Sequence, residues 1–156
     1  MATGDRLSSL EQLRSTGRDL VSLVSGVSDD HLGRSSGEEQ WSAAEVIAHL
    51  ADAELVYANR LRLVVAQDRP RLAWYDEQEW VARFGQLDDD ARVTLARWRA
   101  LRDSNVRLLE ALVDQEWERA GIHDTDGLMT VETIAKRMVT HDRTHLDQIR
   151  AALSGK

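Results

Sequence analysis

Residues 41–47 read Trp41-Ser42-Ala43-Ala44-Glu45-Val46-Ile47 and carry the clearest helix start in the chain. The spacing fits a capping box, in which the Ser42 hydroxyl accepts from the backbone of Glu45 and the Glu45 carboxylate reaches back. Trp41 precedes the cap and can pack against the first turn. Apolar residues then recur at helical spacing to about residue 67, which predicts a long amphipathic helix.

Three further long helices are predicted around this one, over about residues 5–25, 88–113 and 130–153. Gly26 follows the first, where a left-handed C-terminal residue is expected. The carboxylates of residues 88–90 suit the start of the third, and Thr130 is placed to cap the fourth. Residues 116–127 between the last two are predicted to be a loop. Four long helices without a strand signal predict an all-α four-helix bundle, with residues 1–156 as one domain.

The connection over residues 69–87 has no clear periodicity. It contains Trp74, Tyr75, Trp80 and Phe84, and it follows Pro70, the one proline of the chain. A connection of this length is either functional or partly helical. Its aromatic residues either close one end of the core or form a lid or pocket wall beside a site.

Composition excludes several classes of function. The chain of 156 residues has a net charge of −7, which argues against nucleic-acid binding because phosphate neutralisation needs a basic surface. It contains no cysteine, so disulfides, cysteine zinc sites and a cysteine nucleophile are excluded, and any thiol must come from a second molecule. No apolar run is long enough to span a bilayer and no signal peptide is recognised, so we expect no membrane association and a cytoplasmic location.

Three histidines form a candidate metal site. His141 and His145 are four residues apart in the last predicted helix and therefore lie on one face of it. His49 lies on the flank of the apolar stripe of the second predicted helix. Imidazoles on facing flanks of packed helices can meet at one ion, and three nitrogen ligands leave coordination positions open for chemistry.

Other interpretations of the histidines stay open. The three residues can instead be polar groups satisfied beside a core. Asp142 follows His141 where a His-Glu-x-x-His motif has Glu, so a metalloprotease is not indicated. His31 and His123 lie in predicted connections and are expected to be surface or loop-bracing residues rather than ligands. Of the two, His123 is expected to come nearer the site, because its loop leads into the last helix.

Two acidic residues fall at the centres of apolar stripes, Glu54 in the second predicted helix and Asp142 in the fourth. A buried carboxylate needs partners. Either these residues form an internal ion pair with an arginine, for example Arg60 or Arg143, or they orient a ligand imidazole by accepting its other N–H. Glu45, one turn before His49, can do the same in addition to capping.

Two segments together resemble the DinB-like (YfiT-like) superfamily of metal-dependent enzymes. The first is Trp41-Ser42-Ala43-Ala44-Glu45-Val46-Ile47-Ala48-His49-Leu50-Ala51-Asp52-Ala53-Glu54. The second runs from Gly121-Ile122-His123 through Gly127 and then His141-Asp142-Arg143-Thr144-His145-Leu146-Asp147-Gln148-Ile149. The order and spacing of the other helices agree, so the resemblance covers nearly the whole chain.

The resemblance implies an up-and-down four-helix bundle, often a homodimer, with a divalent metal, usually zinc or nickel, held by His49, His141 and His145. Similar proteins include S-transferases that use low-molecular-weight thiols and a mycothiol-dependent isomerase. The acidic charge balance gives no support to a direct role on DNA.

These observations predict a metal-dependent transferase acting on a small molecule with a thiol cosubstrate, or a hydrolase using water. Glu45, Asp142 and His123 are the candidates for moving protons. No Gly-x-Ser-x-Gly elbow supports a serine hydrolase. One alternative is a dimeric stress-response bundle that binds a metal or small ligand without turnover, and another is a bundle whose histidines are only structural.

Overall fold

The computed structural model describes residues 2–35, 37, 39–87 and 90–155. Four long helices form a bundle: α1 (Ala2–Val24), α3 (Ala43–Ala66), α5 (Ala91–Ala111) and α6 (Val131–Ser154). Short helices α2 (Asp29–Leu32) and α4 (Glu77–Phe84) and a 3-10 turn (Asp114–Glu118) lie in the connections. The predicted all-α four-helix bundle is confirmed. No helix of the described residues is long and apolar enough to cross a membrane.

Several predicted helix boundaries have the expected local geometry. The Ser42–Glu45 capping box is present at the start of α3. Thr130 caps α6 by accepting from the backbone of Thr133, and Gly26 has a φ of 75° after α1. Asp90 caps α5, whereas Asp88 and Asp89, which the prediction placed at the same helix start, lie outside the described residues.

The connections contain more structure than the sequence indicated. Residues 116–127 were predicted to be a loop, but they contribute to a small sheet of β1 (Arg71–Leu72), β2 (Ala120–His123) and β3 (Gly127–Thr130). β2 pairs in parallel with β1 and antiparallel with β3. The strands have two to four residues, too few for an alternating apolar pattern to be recognised.

Two apolar clusters fill the bundle, one at each end. Their order along each helix gives the helix directions. The first cluster includes Leu10, Leu13, Leu61, Val64, Val106, Leu109, Ile134 and Met138. The second includes Leu20, Val24, Val46, Ile47, Leu50, Leu95, Trp98, Leu146 and Ile149.

α1 and α6 pass from the first cluster to the second, whereas α3 and α5 pass from the second to the first. α1 and α6 are therefore parallel neighbours, as are α3 and α5. The alternating directions implied by the resemblance occur between α1 and α3 and between α5 and α6, but not between α3 and α5. Parallel neighbours need a connection that returns along the bundle, which explains the long segment between α3 and α5.

Gly121 allows β2 to pack closely against β1 and the residue before it. A Cβ at this position would lie 2.8 Å from Cγ of Leu72 and 2.9 Å from the carbonyl oxygen of Pro70. We expect Gly121→Ala to lower the free energy of unfolding by about 1–3 kcal/mol, because β1 must shift to make room. Urea denaturation followed by circular dichroism measures the change. The control is Gly4→Ala in α1, which has open space at its Cβ and is expected to leave stability unchanged or slightly raised. Equal stability of both variants would contradict this interpretation of the β1–β2 contact.

Candidate metal site

The three predicted histidines converge between the antiparallel helices α3 and α6. Nε2 of His49 lies 3.0 Å from Nε2 of His141 and 3.1 Å from Nε2 of His145. One ligand atom from each residue lies within 4.8 Å of the other two. His49 is buried and the other two are half-buried. His49 is 92 positions from His141 and 96 from His145 in the chain, so the fold brings distant imidazole nitrogens to one point.

The cluster favours neutral imidazoles. Burial, together with the neighbouring His145 and His141 rings, lowers the pKa of His49 to about 3. Burial, with His145 and Arg102, lowers the pKa of His141 to about 3. Burial also lowers the pKa of His145. All three rings are therefore uncharged near neutral pH, which is the state that binds metal ions.

A hydrogen bond sets the tautomer of His145. Its Nδ1 lies 2.7 Å from Oε1 of Gln148, one turn further along α6. Because the amide oxygen can only accept, the Nδ1–H donates and the Nε2 atom keeps its lone pair. The partner that the sequence suggested for a ligand imidazole was a carboxylate, but the structure gives an amide oxygen.

The nitrogen spacing fits a cation better than a set of hydrogen bonds. The Nε2 atom of His49 has either one hydrogen or one lone pair, so it cannot make two good hydrogen bonds to the other rings. Two imidazole nitrogens bound to one ion at about 2.1 Å would be about 3.0 Å apart at a right angle and about 3.4 Å apart at a tetrahedral angle. The separations of 3.0 and 3.1 Å lie at the right-angled end of that range. The donor set therefore fits one divalent cation with positions left open.

Cavities reach the cluster from two sides. The first, of about 410 Å³, is lined by His141, Tyr57, Arg60, Trp74 and His123, among others. The second, of about 500 Å³, is lined by His145, Gln148 and Trp41, among others. Glu77 and Gln78 at the start of α4 line both.

Glu77 is the carboxylate beside the nitrogen cluster. Its Oε2 atom lies 3.8 Å from Nε2 of His49, and its side chain is about half exposed. The segment over residues 69–87, for which core and pocket-wall interpretations were open, contributes Trp74, Tyr75 and Glu77 to the cavity walls. Sequence analysis did not identify Glu77, because nothing in the chain places α4 next to α3.

Glu45, His123 and Asp142, the residues predicted to move protons, differ in where they lie relative to the histidine cluster. Glu45 forms the capping box, and its carboxylate accepts from the backbone N–H and hydroxyl of Ser42. His123 lies on β2 in the wall of the His141-side cavity, where its Nε2 is 2.9 Å from Nη2 of Arg60. In the described part of the chain, no hydrogen bond joins Glu45, His123 or Asp142 to a ring nitrogen of the cluster. Their roles in proton transfer remain predictions without a supporting contact.

Asp142 and Glu54 are buried as the sequence predicted, but their partner is Arg102 of α5 rather than Arg60 or Arg143. Arg102 donates from Nε and Nη2 to Glu54 at 3.0 and 2.7 Å. It donates from Nη1 and Nη2 to Asp142 at 2.7 and 3.0 Å. Thr16 of α1 also donates to Asp142, and Asn105 of α5 donates to Glu54. Burial alone would lower the pKa of Arg102, but the two carboxylates outweigh it and raise that pKa.

This polar network connects all four bundle helices between the two apolar clusters. Glu54 follows His49 on α3, and Asp142 is the neighbour of His141 on α6. Arg102 therefore fixes the relative position of the two helices that carry the histidines.

A four-helix bundle with three converging imidazoles is able to hold a metal ion, and comparison with known proteins shows its family. The DinB superfamily model matches residues 12–149, so the chain belongs to the DinB superfamily.

Similar curated proteins carry the name "Putative metal-dependent hydrolase". YfiT of Bacillus subtilis is 28% identical over 131 residues, which cover 83% of this chain and 74% of the relative. A relative in Oceanobacillus iheyensis is 23% identical over 147 residues, which cover 93% of this chain and 83% of the relative.

The solved structure of Bacillus subtilis YfiT superposes with a TM-score of 0.86 at 25% identity and covers 94% of this chain and 85% of that chain. It is described as "a probable metal-dependent hydrolase with an unusual four-helix bundle topology". The parallel α1/α6 and α3/α5 pairs described above are a departure from simple alternation in this chain.

Proposed function

We propose that this chain is a metal-dependent hydrolase of small molecules, in which His49, His141 and His145 bind one divalent cation. The proposal depends on one observation above all: three neutral Nε2 atoms converge where two cavities meet, with a carboxylate beside them. The names of the relatives support the same class of reaction.

A divalent cation held there would lower the pKa of water and polarise a substrate carbonyl. The chain supplies the remaining functions. Oε2 of Glu77 is placed to accept the proton that an attacking water loses and to return it to the leaving group. Gln148 keeps the lone pair of His145 directed into the cluster, and Trp41 packs on the His49 and His145 rings at 5.1 and 6.5 Å between centroids.

Transfer to a small thiol is the second candidate. The two cavities, one lined by His141 and the other by His145, give room for two substrates beside the cluster. The chain has no cysteine, so the thiol would be a cosubstrate. The ligand set suits zinc or nickel among other divalent ions, and metal availability decides between them.

Activity assays on metal-loaded protein separate these functions. Activated esters and amides test hydrolysis, and monochlorobimane with several low-molecular-weight thiols tests transfer. We expect metal-dependent hydrolysis that is lost in His145→Ala. Metal-dependent conjugation without hydrolysis would establish the second candidate instead. A metal-loaded protein with no rate above background in either assay would contradict both and favour a binding protein without turnover.

Glu77→Gln tests the proton acceptor. We expect kcat/KM to fall by about 10²- to 10⁴-fold with metal content unchanged, because the amide cannot accept the proton. Glu79→Gln is the matched control, since Glu79 is on the same helix but pairs with Arg83 at the surface. Equal rates in the two variants would exclude Glu77 as the general base.

Gln148→Ala tests the orientation of His145. We expect the affinity for zinc to fall by about 10- to 100-fold, because the imidazole loses the acceptor that fixes its tautomer. Competition with a chromogenic chelator measures the affinity. Gln148→Glu, which keeps an acceptor oxygen, should retain most of it. An unchanged affinity in Gln148→Ala would show that the 2.7 Å contact does not govern metal binding.

A further inference from the structure

Arg60 of α3 is a buried cation that has no carboxylate partner among the residues that the structure describes. Its relative exposure is 9%. Its Nη2 atom donates to the carbonyl oxygen of Ala73 at 2.8 Å and to Nε2 of His123 at 2.9 Å. Its Nε–H is buried with no hydrogen-bond acceptor, and Nη1 makes no hydrogen bond to the described residues. Nε is closed off from the cavity, so of the five guanidinium N–H groups the two on Nη1 are left to bind a molecule there.

Three acidic residues line the same cavity as Arg60; Glu77 lies beside His49, and the other two have partners of their own. Asp126 accepts from Arg137 at 2.6 Å and lies 3.2 Å from Nδ1 of His123. Asp76 caps α4 by accepting from the backbone of Glu79. No carboxylate among the described residues lies within 4.0 Å of Arg60. An uncompensated buried charge is costly, so an anion from outside the chain would relieve a cost already present in the fold.

Neutral His123 holds Arg60 in place. Burial, with the charge of Arg60, lowers the pKa of His123. Nε2 of His123 accepts from the guanidinium of Arg60, so the proton is on Nδ1, which lies 3.2 Å from Oδ2 of Asp126 and 3.1 Å from the Thr125 hydroxyl. The backbone N–H groups of Thr125 and Asp126, each 3.4 Å from Nδ1, are not paired with it in this tautomer. The chain of Asp126, His123 and Arg60 thus fixes the guanidinium without neutralising it.

The cavity of about 410 Å³ that Arg60 lines also contains His141, so it adjoins the metal site. Two phenol groups, Tyr57 and Tyr75, lie in its wall. Burial raises the pKa of Tyr57 to about 12 and also raises that of Tyr75, so both remain O–H donors. Trp74, 56% exposed, adds an aromatic surface. The volume is within the range of about 300–1,000 Å³ for small-molecule pockets.

We propose that Arg60 is the carboxylate-binding residue of the substrate pocket, and that the substrate is an elongated, partly aromatic or apolar carboxylic acid derivative. This assignment rests on the proposed function for the reacting end of the molecule. Arg60 follows His49 by eleven residues, a rise of about 16 Å between their backbone positions, so a ligand that reaches both the guanidinium and the histidine cluster extends along the cavity. One unpaired positive charge matches a carboxylate better than a dianionic phosphate.

Calorimetric titration with benzoate tests the anion site without depending on turnover. Benzamide has nearly the same shape without the charge, and phenyl phosphate supplies a dianion. On metal-loaded protein we expect benzoate to bind more tightly than either. Its dissociation constant should rise by about 30-fold in Arg60→Gln, with partial recovery in Arg60→Lys. The control Arg18→Gln removes the same charge from an exposed position and should leave benzoate binding unchanged.

Benzoate that binds Arg60→Gln as tightly as the unaltered protein would overturn the assignment, since the metal or another group would then hold it. Tighter binding of phenyl phosphate would overturn the choice of a carboxylate. Arg60-dependent binding of benzoate by a protein that hydrolyses no ester would retain the anion site and contradict the proposed hydrolysis. Hydrolysis of neutral and carboxylate-bearing esters at equal kcat/KM, unaffected by Arg60→Gln, would support the proposed hydrolysis and overturn the anion site.

Discussion

Replacing His145 with alanine is expected to reduce bound divalent metal from about one equivalent per chain to a trace. Loss of one nitrogen leaves two ligands, and the shared ion loses both a bond and the geometry that the third imidazole enforces. Elemental analysis after dialysis of protein purified without a histidine tag measures the content. His49→Ala and His141→Ala should behave alike, because the Nε2 atoms of all three residues meet at one point.

His31→Ala is the matched control. His31 contacts the carbonyl oxygen of Leu153 at the end of α6 and is outside the nitrogen cluster. Its replacement should leave the metal content unchanged. Full metal content in His145→Ala, or none in the unaltered protein after exposure to zinc, nickel and manganese, would show that the cluster is structural.

Arg102→Met is expected to lower the free energy of unfolding by about 3–5 kcal/mol. Methionine fills much of the volume but leaves Glu54 and Asp142 buried without their shared cation. Arg102 is 3% exposed and the two carboxylates 2% and 4%, so all three charges are largely removed from bulk water. Urea denaturation of chelator-treated protein measures the loss without a contribution from metal binding.

A triple variant gives the control for this prediction. Arg102→Met combined with Glu54→Gln and Asp142→Asn removes the two charges that the single change leaves unpaired. We expect it to recover a large part of the lost stability, because the cost comes from unpaired buried charge. A loss below about 1 kcal/mol in Arg102→Met alone would mean that the carboxylates find protons or other partners at little cost.

Local sequence patterns were sufficient to predict the four long helices and to place His141 and His145 on one helix face. The capping box at Ser42 and Glu45 depends on residues three apart, and His141 and His145 share a face because of helix geometry alone. Burial of Glu54 followed from its place in an apolar stripe. Each of these inferences needs only the period of one helix.

Contacts between residues on different helices could be found only from the structure. The choice of Arg102 over Arg60 or Arg143 depends on α5 lying parallel to α3, which no local pattern encodes. Glu77 reaches the cluster because α4 folds back across it, and a segment with no periodicity gives no sign of that. The short strands that position His123 were also missed, since a pair such as Arg71 and Leu72 has too few residues to show a pattern.

The parallel arrangement of α3 and α5 requires a long returning connection, and this connection can vary in sequence independently of the bundle helices. The imidazoles are on bundle helices joined by a buried ionic network, where most replacements would be damaging. Trp74, Tyr75 and Glu77 are on the returning connection, which contributes little to the two apolar clusters. Insertions and substitutions in that connection can therefore alter substrate preference while the scaffold stays intact. Divergence of specificity among proteins of this architecture is expected to concentrate there, and libraries for engineering new activities are best directed to the same residues.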